Sequence, residues 1–309
     1  MPGLYWSRLS KGTDGEKRMA KNQVDVVLKA GCIHAEGPVW EGKERRLYWT
    51  DIESRTLWRL DPDEGRSESW TMREKVCSIA FREAKGLLIA FESGLSFYDL
   101  DARAEERIVE IESDIPVTRL NDGRCDRQGR FIVGGYDPSE NGLSAAYRLD
   151  ADLSLHRLFG GLSSANSTCF SLDGRTMYYA DSPQAAIWAF DYDPDTGIPS
   201  HRRVFCDFHD QPGIPDGSAI DAEGCLWNAQ WNGSRVVRYR PDGSIDRVIE
   251  VPVQNPTCVS FGGRELDTLY VTTSRLTLSE EQARRQPLAG ALLAVRPGVK
   301  GLPETRFRG

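Results

Sequence analysis

One short pattern recurs six times along this chain, and nothing else in the sequence limits the fold so strongly. The repeats begin EGPVW at Glu36, KVCSIAF at Lys75, NDGRCD at Asn121, NSTCFS at Asn166, DGSAID at Asp216 and NPTCVSF at Asn255. An apolar, strand-like run follows each start, and then a second run that ends in a DPD, DAD or PDG turn, as in RLYWTDI with TLWRLDPDEG. The starts lie 39, 46, 45, 50 and 39 residues apart, which is the period of a four-stranded propeller blade. The chain therefore reads as all-β, a six-bladed β-propeller. In such a ring the innermost strands line the axis, so Glu36 and Asp216, 180 positions apart, can meet across it.

A chain of 309 residues would often form two domains, but repeat architectures exceed that size as one unit. We expect one propeller over 23–309 and a flexible N-terminal extension over 1–22. The extension carries five basic and two acidic side chains and no apolar stretch of the kind a secretory signal needs; Met19 is an alternative start. A net charge of -7 argues against nucleic acid or an anionic membrane as partner, because both need a basic face. No stretch approaches the roughly 18 apolar residues of a membrane span. The seven cysteines are scattered, with no CxxC pair, and read as buried, reduced thiols. These features together point to a cytoplasmic protein, monomeric or a small homo-oligomer.

Residues 24–29 (VDVVLK) alternate and are β-branched, as a strand requires. They precede the first full repeat, so they are assigned to the outer edge of the last blade, where both ends of the chain would close the ring and hide a sheet edge. The one convincing helix is short, 278–285 (LSEEQARR), with Ser279 as its cap. Chemistry must therefore ride on strand ends and loops.

Glu36, Asn166 and Asp216 open their repeats in a common register. Two carboxylates and an amide oxygen form a hard, doubly negative donor set, suited to one divalent cation such as Ca²⁺, Mg²⁺ or Mn²⁺, with Zn²⁺ and Fe²⁺ left open. Taken singly, an Asp before Gly is a turn residue and an Asn before Ser caps a loop; the shared register is what singles out the set and predicts a central metal-binding channel. In the third repeat, Arg119, Asn121 and Asp122 precede the innermost strand and Tyr136 follows the next. These would hydrogen-bond and wall a polar ligand. His34 lies two residues before Glu36 and reads as structural or solvent-facing, while Trp231 and Asn232 wall the pocket or pack. No GxSxG, HExxH, P-loop or dinucleotide motif appears.

The segments AEGPVW at 35–40, RLNDGRCDRQGRF at 119–131, YYADS at 178–182, IPDGSAIDAEGCLWNAQWNGSRVVRY at 214–239 and QPLAG at 286–290 resemble the gluconolactonase/regucalcin family of six-bladed propeller sugar lactonases. The resemblance implies a divalent metal, Ca²⁺ or Zn²⁺ before others, held by Glu36, Asn166 and Asp216. It implies proton transfer by Asp216 and a sugar lactone held by Arg119 and Asn121. Two departures stand out. Ala165-Asn166-Ser167 replaces the family's Ser-Asn-Gly, and Gly134-Gly135-Tyr136 replaces Gly-Thr-Met, with Glu140 beyond it as the candidate for the acidic substrate-binding position. The expectation is a metal-dependent hydrolase of aldonolactones such as glucono-, arabinono- or xylonolactone. A phosphotriesterase-like or broad lactone hydrolase on the same metal, and a non-catalytic calcium-binding propeller, are the alternatives.

Overall fold

Burial falls from the axis outward, and the sequence of each strand follows it. In the sixth repeat the innermost strand, Asn255–Gly262, is buried along its whole length, whereas the outermost strand of the first, Arg66–Thr71 (RSESWT), is exposed or half-buried throughout. Strands covered on both faces need near-continuous small or apolar residues, and edge strands need charge to discourage pairing with other chains. The computed structural model describes residues 23–309, and the expected extension over 1–22 lies outside the described residues.

Six four-stranded antiparallel sheets form the blades. Blade 1 comprises Ala35–Glu41, Arg46–Asp51, Thr56–Asp61 and Arg66–Thr71. Blade 2 runs Val76–Phe81, Leu87–Phe91, Gly94–Asp99, Ala104–Glu110, and blade 3 Arg119–Cys125, Phe131–Tyr136, Ser144–Leu149, Leu155–Leu162. Blade 4 runs Ala165–Phe170, Thr176–Asp181, Ala186–Tyr192, Pro199–Asp207, and blade 5 Ile214–Ile220, Leu226–Trp231, Arg235–Tyr239, Ile245–Glu250. Blade 6 takes Asn255–Gly262, Thr268–Ser274 and Leu292–Val295 from one end of the chain and Val24–Leu28 from the other. As expected, Val24–Leu28 pairs antiparallel with Leu292–Val295, Val24 opposite Val295.

The Asp-rich turns have a local cause. Asp61 Oδ1 accepts the backbone N–H groups of Asp63 and Glu64, both at 3.0 Å, and Asp99 does the same for Asp101 and Ala102, so each aspartate shapes the turn it begins. The core lies between the blades, with one apolar cluster among the described residues at each of the six contacts. At the contact of blades 6 and 1, Trp40 stacks on Tyr270 with centroids 6.1 Å apart, and Leu28, Leu47 and Trp49 are fully buried.

Residues 300–309 form a strap across the far end of the channel. Gly301 bridges to Asp221 in blade 5 and Phe307 to Arg82 in blade 2. Glu304 accepts from Arg124 of blade 3 at 2.6 Å, and Arg306 pairs with the buried Glu41 of blade 1. Strap and inner strands surround a cavity of about 420 Å³. The helix is Glu280–Arg285, with Ser279 and Gln282 forming a reciprocal capping box; Leu278 lies ahead of the cap. All seven cysteines are free and buried. Among the described residues, no helix is long and apolar enough to cross a membrane.

Closure through Leu28 gives the first test. Leu28→Ala should lower unfolding stability by about 2–5 kcal/mol, the cost of emptying a packed core position, whereas Ile198→Ala, at a 56% exposed side chain, should change it by less than about 0.5 kcal/mol. Equal denaturant midpoints for the two variants would refute the role of this strand in closing the ring.

Candidate active site

Every innermost strand breaks its ladder at the same depth. Pairing slips after Glu36, Val76, Leu120, Asn166, Pro215 and Pro256. Glu36 and Asn166 are the last paired residues before the slip, opposite Thr50 and Ala180, and the residues after them, Gly37 and Ser167, take left-handed φ of 52° and 59°. Asp216 and Asn121 instead sit inside the slip, after the paired Pro215 and Leu120. The single register read from the sequence is therefore two registers one residue apart. In a regular strand that step would turn the side chain to the opposite face, but the unpaired residues of a bulge absorb it.

Both kinds of position converge. Glu36, Asn166, Asp216 and Asn121 are each less than 10% exposed. Glu36 and Asp216 lie close enough for each carboxyl to act directly on the other, so both do not carry charge at once without a cation to offset them. Burial pushes Glu36 up to about 8, against a 2.9 Å bond from the Gly37 N–H. Burial, then the charges of Glu36 and Asp122, raise Asp216 well above the usual carboxylate range.

Asn166 donates from Nδ2 to Ser182 Oγ at 2.8 Å, and that hydroxyl donates to Pro215 O at 2.7 Å. The amide nitrogen is thus occupied, and Oδ1 is turned toward Asn121 Nδ2, 3.4 Å away. Among the described residues no group of three His, Cys, Asp or Glu side chains is disposed to hold a metal. A cation here would depend on the amide oxygen beside the two carboxylates. That donor set fits a hard divalent ion, because a cation would let two neighbouring buried acids both ionise.

Sequence reasoning missed the layer behind Asp216. Ser167 Oγ donates to Asp216 O at 2.5 Å, Asn228 Nδ2 to the same oxygen at 2.9 Å, and Ser218 Oγ to Ser167 Oγ at 3.0 Å. Ser167 is fully buried at a left-handed φ, a conformation that disfavours side chains and accounts for the glycine expected there. Its hydroxyl bonds offset that strain. Gly217 tolerates no side chain, since a Cβ would stand 2.2 Å from Cys258 Sγ.

At the mouth, Arg119 Nη1 donates to Asn121 Oδ1 at 2.7 Å and to Leu120 O at 2.8 Å, and its guanidinium carbon lies 4.5 Å from the Tyr136 ring centroid. No carboxylate pairs with it among the described residues. Tyr136 thus serves as the platform for Arg119. Asp122 lies deeper, accepting Thr168 N at 2.8 Å and raised by burial; it ties blade 3 to blade 4. Glu140 is exposed at φ 54° in the loop 137–143. His34 is buried and meets Trp231 edge-on at 5.6 Å. Asn232 is engaged with Asn255 and Gln254.

Residues 34–275 match the family described as the SMP-30/gluconolactonase/LRE-like region. The chain is 41% identical to the L-arabinolactonase of Azospirillum brasilense over 280 residues, covering 89% of this chain and 92% of that protein. It is 35% identical to the 6-deoxy-6-sulfogluconolactonase of Pseudomonas putida, covering 92% and 98%. The crystal structure of a calcium-binding protein, regucalcin, from Agrobacterium tumefaciens superposes with a TM-score of 0.89 at 31% identity, over 92% of this chain and 97% of that one.

The acid pair makes a pH prediction for metal-free protein. Both carboxyls are raised on folding, so their contribution is present below about pH 4, the unfolded value, and is lost as pH rises through about 8. In EDTA, unfolding free energy should fall with a slope of up to about 2.7 kcal/mol per pH unit in that window, about 1.4 for each carboxyl. Glu36→Gln should flatten the slope; an equal slope in the variant would assign the effect to other groups.

Proposed function

The chain belongs to the SMP-30/gluconolactonase/LRE-like family, and from that membership together with its buried acid pair we propose a metal-dependent hydrolase that opens sugar-acid lactones to the free acids. The observation that carries the reading is the closeness of Glu36 to Asp216 at the head of the channel, beneath a guanidinium that has no carboxylate partner among the described residues. Glu36, Asn166 and Asp216 would hold one divalent cation, and their oxygen donors make Ca²⁺ the first ion to test and Zn²⁺ the second. When bound, such a cation supplies Lewis acidity toward a lactone carbonyl and makes water a better nucleophile.

The remaining work falls to the side chains. A carboxylate oxygen of Asp216 would take the proton of the attacking water and return it to the ring oxygen as the ester bond breaks. Ser167 and Asn228 hold the backbone of Asp216 still while that happens. Arg119, braced by Asn121 and Tyr136, would donate to the ring hydroxyls. Polyhydroxylated aldonolactones of pentoses and hexoses suit that polar mouth better than apolar esters, in line with the two sugar lactonases among the relatives.

Assays on pentono- and hexonolactones with and without chelator test the reading. Activity that is lost in chelator and restored by a divalent ion is expected. A cation-loaded protein that opens no lactone would favour a non-catalytic calcium-binding propeller. Asp216→Asn keeps an oxygen ligand and loses the base, so it should retain metal and lose about 10²-fold or more in kcat; near-native turnover would exclude Asp216 as the base. Glu36→Gln should weaken metal binding more than Asn166→Asp does, because only the former removes negative charge. Arg119→Ala should chiefly raise KM; a collapsed kcat at unchanged KM would place Arg119 in the chemistry.

A further inference from the structure

His34 sits in the loop entering the innermost strand of blade 1, and its hydrogen bonds define which ring nitrogen carries the proton. Ser274 Oγ lies 3.0 Å from His34 Nδ1. That hydroxyl has one proton, and the proton is committed to Ile33 O at 2.9 Å, while Leu276 N donates to the same oxygen at 3.0 Å. The Nδ1 contact can therefore be made only by an N–H on the imidazole. With Nδ1–H given to Ser274, no carboxylate paired with the ring among the described residues, and Arg119 and Lys75 nearby, the imidazole presents Nε2 as a bare lone pair.

Among the described residues Nε2 has no hydrogen-bond partner, and it is not a fully buried atom, so it reaches solvent. The face of the ring is held by the edge-on contact with Trp231. A fixed acceptor cannot bond a carbonyl, a ring ester oxygen or a carboxylate, none of which has a proton to give. An ammonium group is disfavoured beside Arg119 and Lys75, although Lys75 is paired with Glu53 at 2.7 Å. A hydroxyl remains.

We propose that His34 Nε2 accepts a hydrogen bond from a ring hydroxyl of the substrate, opposite the donor Arg119, and so selects hydroxylated lactones over unsubstituted ones. The identity of the ligand, though not the acceptor role, rests on the lactonase reading above. Hydroxyl recognition by a buried polar group discriminates well, because an analogue lacking the hydroxyl leaves the group unpaired.

The test compares an aldono-1,4-lactone with γ-butyrolactone, which has the same ring and no hydroxyls. His34→Asn keeps a side-chain N–H for Ser274 and removes the acceptor. It should raise KM for the aldonolactone about tenfold, the loss of one hydrogen bond, with kcat within about threefold and KM for γ-butyrolactone unchanged. An equal change for both lactones, or none for either, overturns the proposal. Nitrogen-15 NMR of the wild-type imidazole gives a second measurement that survives a misfolded variant. We expect an Nδ1–H tautomer whose Nε2 resonance moves on adding aldonolactone and not on adding γ-butyrolactone; a proton on Nε2, or no movement, overturns it. Wild-type protein that opens neither lactone yet shows the selective Nε2 shift would sink the lactonase reading and leave the acceptor standing.

Discussion

The pairing of Val24–Leu28 with Leu292–Val295 is the contact on which the rest of the molecule depends. Each blade buries its faces only against two neighbours, so an open ring would leave two sheets half-wetted and one strand edge unpaired. Closure supplies the last inter-blade cluster, with Leu28, Trp49 and Leu292 in it, and brings blade 1 beside blade 6 and across from blades 4 and 5. Only then do Glu36 and Asp216 meet. The stability of the ring and the geometry of the acid pair are thus one problem, solved by two strand segments from opposite ends of the chain.

At the axis the same convergence creates a conflict that the fold keeps. Glu36 and Asp216 are buried together, with the charge of Asp122 acting on both. The cations nearby are spent or distant in effect: Arg124 is paired with Glu304, and Arg119 is braced by neutral oxygens at the mouth. A folded protein carries such unrelieved acidity at a cost in stability, and that cost is the usual mark of a functional site rather than of a structural one. The bulges, the left-handed Ser167 and the hydroxyl network behind Asp216 all serve to hold this arrangement in place.

The architecture was legible because its signals are local. Repeat period, strand patterning, turn aspartates and the closing VDVVLK strand each need only neighbouring residues to be interpreted, and the ladder reproduces them. The candidate ligands were legible as a set, since Glu36, Asn166 and Asp216 each open a repeat, but their offset of one residue was not. Bulge geometry depends on φ at Gly37 and Ser167 and on how tightly Gly217 approaches Cys258, and those distances belong to the packed ring. The same holds for Ser182, Asn228 and His34. Each is an ordinary polar residue in sequence and takes its role from a partner in another blade or another strand. Tyr136, expected as a flat wall for a ligand, carries the Arg119 guanidinium on its ring, and Asp122 reaches into blade 4.

The strap over 300–309 and the closing strand have a consequence for how the chain is made. Both join residues more than 220 positions apart: Arg82 with Phe307, Glu41 with Arg306, Val24 with Val295. None of these contacts can form until the last blade has left the ribosome. At ordinary translation speeds, synthesis of a chain this long takes roughly 15 to 60 s, and throughout that time the first blade presents one uncovered face and waits for a partner strand not yet synthesised. Ring closure therefore waits for the last strand to emerge, and until then the nascent chain exposes the apolar surface and unpaired edge that favour aggregation.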